Sequence, residues 1–226
     1  MTRTPHRTLL VALAVATSFI AALRTGFAQP AARAPAAAPP SAAAPAPAEP
    51  VGEPTTPQDR DVLATAEQLA TEAAQLIEQW IASQAISEDR LFARLYYPIP
   101  RTDPQKYTTP YDALAERDLV GPEDKALARA NTLQYAIVTD VNGYIPAHNT
   151  RFAQPLSGNT AQDYVNNRTK RILGDAASLI AARSEARYLV QRTRLDTGDM
   201  IYDLSVPIIV RGKHWGCVRI GYRRNE

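Results

Sequence analysis

Between Gln29 and Pro57 the chain reads QPAARAPAAAPPSAAAPAPAEPVGEPTTP, and 20 of these 29 positions are Ala or Pro. Val51 is the one large apolar residue in the stretch, so it cannot bury a core. Its composition predicts a disordered, semi-rigid tether of polyproline type, reaching up to about 90 Å at about 3.1 Å per residue. The tether divides the 226 residues into a leader, 1–28, and one foldable unit, 58–226. That unit is long enough for a single well-packed domain.

The leader carries Arg3, His6 and Arg7, then a fifteen-residue, largely apolar run from Leu9 to Leu23, then small residues ending at Ala28. This pattern reads as a secretory signal peptide cleaved after Ala28. Retention as a membrane anchor is the competing reading, but a span needs about 20 apolar residues and Arg24 closes this run early. Export places the mature chain outside the cytoplasm, which in a bacterium means the periplasm. The net charge is +2, and removal of the leader takes away three arginines and no acid, leaving −1. Phosphate steering is therefore not the design, and nucleic acid is not an expected partner. Cys217 is the only cysteine, so no internal disulfide, no CxxCH haem attachment and no cysteine zinc cluster is available. A small buried side chain is its expected role.

From Asp59 to about Gln84, apolar residues at Val62, Ala66, Leu69, Ala73, Leu76 and Trp80 follow helical spacing, widened by Leu63, Ala70, Ile77 and Ile81. Such a helix is about 39 Å long at 1.5 Å per residue. Its stripe packs on its own domain or in part on a second copy, giving a homodimer through the helix 59–84. Ser87 begins a shorter helical piece ended by Pro98 and Pro100. Residues 101–131 are turn-rich, with one short helix between Glu123 and Ala130, and are expected to wrap the domain rather than form its centre.

Strands are predicted at Leu133–Thr139 and Tyr144–His148, joined through Asp140, Val141, Asn142 and Gly143, with Pro146 marking the second as an edge. Thr160–Ile172 reads as a helix capped by Asn159 and stopped by Gly174. A meander follows, Ala186–Leu195, Met200–Val210 and His214–Tyr222, with short glycine-bearing connections. The expected fold class is α+β: one five-stranded antiparallel sheet behind a long N-terminal helix.

The runs TDVNGYIPAHN (139–149), NNRTKRILGD (166–175) and DTGDMIYDLSVPIIVRGKHWGCVRIGY (196–222), with SEDRLFARLYYPIP (87–100) before them, resemble the periplasmic sensor domains of bacterial methyl-accepting chemotaxis proteins. The similarity is to the single-module Cache, or PAS-like, type and covers about residues 58–222. It implies strand order 2-1-5-4-3, a long helix used in dimerisation and a small-ligand pocket between sheet and helix. The sequence stops four residues past Tyr222, where such a receptor enters its second membrane helix. The reading is therefore a sensor module exported alone, which binds a small, anionic metabolite and passes the bound state to a partner, in chemotaxis or a related signalling process. The alternative is a structural adaptor that engages a membrane receptor through its long helix and takes no small ligand.

Anion-binding candidates follow from charge chemistry. Arg168, Lys170 and Arg171 on one helix, with Arg192, Arg194 and Arg219 on strands, present cations suited to a carboxylate, the arginines through guanidinium forks. Pairing with Asp163, Asp175, Asp196 or Asp203 is the competing use. Tyr144, Tyr188, Tyr202 and Trp215 supply aromatic walls with polar tips, or else core packing. His148 is expected to hydrogen-bond near the hairpin and His214 at a strand end; two such histidines do not make a zinc site. Asp140 and Asn142 are read as turn formers. Ser157 and Ser205 lack a GxSxG elbow, and no HExxH, P-loop or GxGxxG occurs, so neither an enzyme nor a cofactor is expected.

Overall fold

Thr56 opens the long helix. In the computed structural model, which describes residues 50–51, 53–195 and 198–224, the Thr56 hydroxyl accepts from the Asp59 amide at 3.1 Å and the Asp59 carboxylate accepts from the Thr56 amide at 3.0 Å. This reciprocal cap, with Pro57 in the first turn, starts α1 (Pro57–Ala82), and Ser87 caps the short α2 (Glu88–Phe92) that follows. The leader and the tether as far as Glu49 lie outside the described residues, and with them the expectations of an export signal and of disorder. Fold begins a little before Gln58: Pro50–Val51, β1, already pairs with another strand.

The predicted stripe of α1 is the buried one, at Val62, Ala66, Leu69, Ala73, Ile77 and Trp80. It packs on β6 (Met200–Val210) and β7 (Lys213–Tyr222) through Leu204, Val206, Ile208, Val218 and Ile220. Each such side chain contributes about 1.5–3 kcal/mol by leaving water. The chain's own sheet thus takes up the stripe, and Leu76 stays half-buried beside it. Asp59 ties the two ends together, accepting from the Tyr222 hydroxyl at 2.7 Å and from Arg224 Nε at 2.9 Å.

The main sheet is antiparallel, in the order β1-β5-β6-β7-β4, with β4 at Leu133–Asp140 and β5 at Leu189–Arg194. Its four full strands keep the relative order implied for them, and β1 adds a two-residue contact at one edge. A separate two-stranded sheet joins β2 (Tyr97–Ile99) to β3 (Lys106–Thr108). The class is α+β, but the single five-stranded sheet is corrected.

The missing strand is Tyr144–His148. β4's outward amides are already served: Ala136 donates to Asn149 Oδ1 at 3.0 Å, Val138 to Glu123 Oε1 at 2.9 Å and Asp140 to the Tyr144 carbonyl at 3.1 Å. Pro146 has no amide to offer. The backbone of 143–145 pairs instead with Lys170, Arg171 and Leu173. Gly143 permits that approach, since it has φ +75° and a Cβ there would sit 2.5 Å from the Leu173 carbonyl oxygen.

The same pairing ends the helix expected over 160–172 early. α5 covers Thr160–Asn166, and 167–173 runs on outside it, with Lys170 at φ 61°. Arg168, Lys170 and Arg171 are therefore not on one helical face. Residues 101–131 also differ from expectation. They form α3 (Asp112–Asp118) and α4 (Val120–Leu127), and they place Tyr111, Ala115 and Leu119 in the core. Pro122 sits in the first turn of α4, where its missing amide has no helical partner to lose. A further helix, α6 (Ala176–Arg183), capped by Asp175, lies on the sheet face away from α1.

Candidate functional site

Three polar groupings are buried around the sheet, and they differ in how fully they are satisfied. The first crosses the face away from α1. The Arg219 guanidinium donates twice to Asp203 Oδ2, with Nε at 2.9 Å, and its Nη1 donates to Ser178 Oγ at 2.9 Å. Tyr135 donates its hydroxyl to the same carboxylate oxygen at 2.9 Å. Gly221 gives the Tyr135 ring its berth, because a Cβ there would lie 2.4 Å from a ring carbon. Around this ion pair, Asp203 Oδ1, Ser205 Oγ and Gln191 Nε2 are buried without a partner.

The second grouping is aromatic. Asp140 accepts from the hydroxyls of Tyr96 and Tyr111, the latter at 3.0 Å, and from the amides of Asn142 and Tyr144. Tyr144 donates to Asp112 Oδ1 at 2.8 Å and packs against Tyr96 and Tyr111, which in turn meets Trp215 edge-on. Tyr144 and Trp215 are thus core residues, and Asp140 and Asn142 shape the turn as expected. Burial raises the Asp140 carboxyl, although four hydrogen bonds to it act in the opposite sense.

The third grouping surrounds a cavity of about 470 Å³. Its walls come from Ile99 on β2, Lys106 on β3, Glu116 on α3, Val120 on α4, and the segments 147–148, 153–156 and 167–170. No part of α1 contributes to it; a separate space of about 480 Å³ lies between α1 and β6, lined by Ala70, Ala74, Val206 and Ile209 among others, beside the apolar core that fills the rest of that interface. A larger space of about 740 Å³ lies between the start of α1 and Arg129–Leu133, but its charged residues, Asp61 and Arg129, are exposed.

Two buried side chains give the smaller cavity its chemistry. His148 is 3 % exposed, and its Nδ1 has no partner. Burial, followed by the charges of Arg168, Arg151, Arg171 and Lys106, pushes its imidazole down to about 3, so it is neutral at physiological pH. Lys106 is 5 % exposed, and its Nζ donates to the Asn167 carbonyl at 3.2 Å, Asn167 Oδ1 at 2.6 Å and the Thr169 carbonyl at 2.6 Å. All three acceptors are uncharged. Burial first, then Arg171 and Lys170, lowers the Lys106 ammonium to about 8. Lys170 at the same wall is already paired, with Glu116 at 2.9 Å and Asp112 at 3.8 Å.

Of the residues expected to bind ligand, His148 and Lys170 line this cavity. Arg168 stands beside it, over the Phe152 ring. Arg171 is turned to another task, donating to the carbonyls of Asp163, Tyr164 and Asn167 at the end of α5. Arg192 and Tyr202 lie on β5 and β6, where Arg192 and Arg224 both stack on the Tyr202 ring. Tyr188 packs against the core. Arg219 takes the structural partner weighed for it, Asp203. His214 bonds the Gly216 carbonyl at 2.8 Å, at a strand end as expected. Cys217 is buried, and burial pushes its thiol up to about 12, which leaves it inert.

Sequence reasoning missed Lys106. A lone lysine between prolines has no periodicity to mark it as buried, and its acceptors lie more than 60 residues away in the chain. No family model matches this chain, and no curated protein matches it.

Proposed function

We propose that this protein is a small-ligand-binding module of the sensor type, which takes a small anion in the cavity beside His148 and passes the bound state to a partner. One observation carries the reading. A buried, neutral imidazole with an unsatisfied nitrogen faces four cationic groups, Arg168, Arg151, Arg171 and Lys106, next to a cavity that a small metabolite fills. Such a field attracts an anion.

The resemblance of 58–222 to chemoreceptor sensor domains supports the signalling half of the reading, and the leader supports an exported location. Among the described residues no helix is long and apolar enough to cross a membrane. Transmission requires that the ligand bind two conformations unequally. The segments 153–156 and 167–170 border the cavity, the second pairing with β3 and with the turn after β4 through Lys170, so they are the elements a ligand would reposition.

The test is a thermal-shift and calorimetric screen of the purified chain against organic acids, amino acids and amines, together with mass spectrometry of metabolites released on denaturation. Saturating anion at about 100 times its Kd raises stability by about 2.7 kcal/mol, and uncharged analogues leave it unchanged. Absence of any response to anions, with nothing released, rejects the reading in favour of an adaptor without a ligand.

A further inference from the structure

Lys106 is a buried ammonium whose three hydrogen bonds all end on neutral oxygens. A buried charge is tolerated when it is paired, and the nearest acids are committed elsewhere. Asp163 accepts from the Ser157 amide and hydroxyl, both at 2.7 Å, and from the Gly158 amide at 3.0 Å. Asp112 and Glu116 face Lys170. The remaining charged neighbour of Lys106, Arg171 beyond α5, is a cation, as are Arg168 and Arg151 around His148, which is itself uncharged.

Resting on the anion-binding reading, we infer that Lys106 is the counter-ion for a small oxyanion bound in this cavity, and that capture of the anion is linked to the protonation of that lysine. The arrangement supplies the parts. Lys106 and His148 both line the same space. The longest Lys106 bond, 3.2 Å to the Asn167 carbonyl, is the one a ligand oxygen replaces at least cost. The other two tie the ammonium to Asn167 and Thr169, so a change in its charge is felt by the wall as well as by the ligand.

The sign follows from linkage. Without ligand the ammonium loses its proton near pH 8. An oxyanion beside it favours the charged form, so the bound state holds the proton more tightly than the free one. Affinity is then flat below about pH 7.5 and falls about tenfold per pH unit above about pH 8.

The experiment is calorimetric titration of the full chain from pH 6 to 9.5 with acetate, butanoate and methanesulfonate, and with acetamide as the neutral analogue. None of these anions titrates in that range, so any slope belongs to the protein. Lys106→Gln is expected to bind at least tenfold more weakly and to show no slope. Lys106→Arg keeps a charge that does not titrate, so it is expected to bind at pH 7 and to stay flat through pH 9.5. Should Lys106→Gln fail to fold, the wild-type slope and its absence in Lys106→Arg decide the matter. Binding that Lys106→Gln leaves unchanged, or a slope that persists in Lys106→Arg, overturns the role of Lys106 while the anion-binding reading stands. If none of the three anions binds at pH 6–7 while another anion does, the small-oxyanion assignment falls alone. Failure of every anion rejects both.

Discussion

On the face of the sheet turned to α1, Leu204, Val206, Ile208, Val218 and Ile220 meet Ala66, Leu69, Ala73 and Ile77 in an apolar layer. On the opposite face, the same two central strands present Asp203, Ser205 and Arg219, fixed by Tyr135 and Ser178 under α6. The dry face is held by area alone and has no directional requirement beyond shape. The polar face depends on one ion pair, and each member is stable there only while the other is present.

That contrast can be broken at its most sensitive point first. Arg219→Met leaves the Asp203 carboxylate buried and unpaired, and is expected to cost about 3–5 kcal/mol in urea unfolding. Converting Asp203 to Leu as well removes the stranded charge and should recover most of that loss. Equal damage in the single and double variants would mean that packing, not charge, governs this face.

On the dry face, Ile77→Ala is expected to cost about 2–4 kcal/mol with no dependence on pH, since it removes contact and leaves a cavity. A loss that varied across pH 5–8 would show that the two faces are not independent.

The smallest effect is expected at Glu123, which is fully buried at the edge of β4. Burial raises its carboxyl well above the usual range, against the hydrogen bond from the Val138 amide, with Asp124 adding to the rise. The folded state therefore holds the proton more tightly than the unfolded chain, and stability falls as pH rises above the unfolded value near 4.5. Glu123→Gln keeps the acceptor and removes the titration. It should change stability by less than about 1 kcal/mol at pH 4.5 and gain on the wild type by pH 8. A Gln variant that lost stability as steeply as the wild type over that interval would place the titrating group elsewhere.

Regular patterns in the sequence reached the dry face almost completely. The spacing from Val62 to Trp80 marks the buried side of α1, and alternation in 200–210 and 214–222 marks β6 and β7, because each side chain there answers to a nearby repeat. The cavity obeys no repeat. His148 was legible beside the turn, but Lys106 depends on carbonyls of Asn167 and Thr169, and the shape of 167–173 depends in turn on pairing with Tyr144 and Ile145. The helical pattern of 160–172 lost to that pairing beyond Asn166. α6 went unread because its short AASLIAAR run differs little from the loop residues around it. The buried acid Glu123 carries no signal in its neighbours at all.

Glu123 and Asn149 have a consequence for how copies of this protein behave in a crowded solution. An unpaired rim of backbone amides is a template on which a neighbouring molecule can lay down a strand. Here that rim is blunted by two side chains from the same molecule, one of them an acid whose carboxyl burial pushes well above the usual range. Ordered growth of the sheet into a fibre is thereby refused along β4.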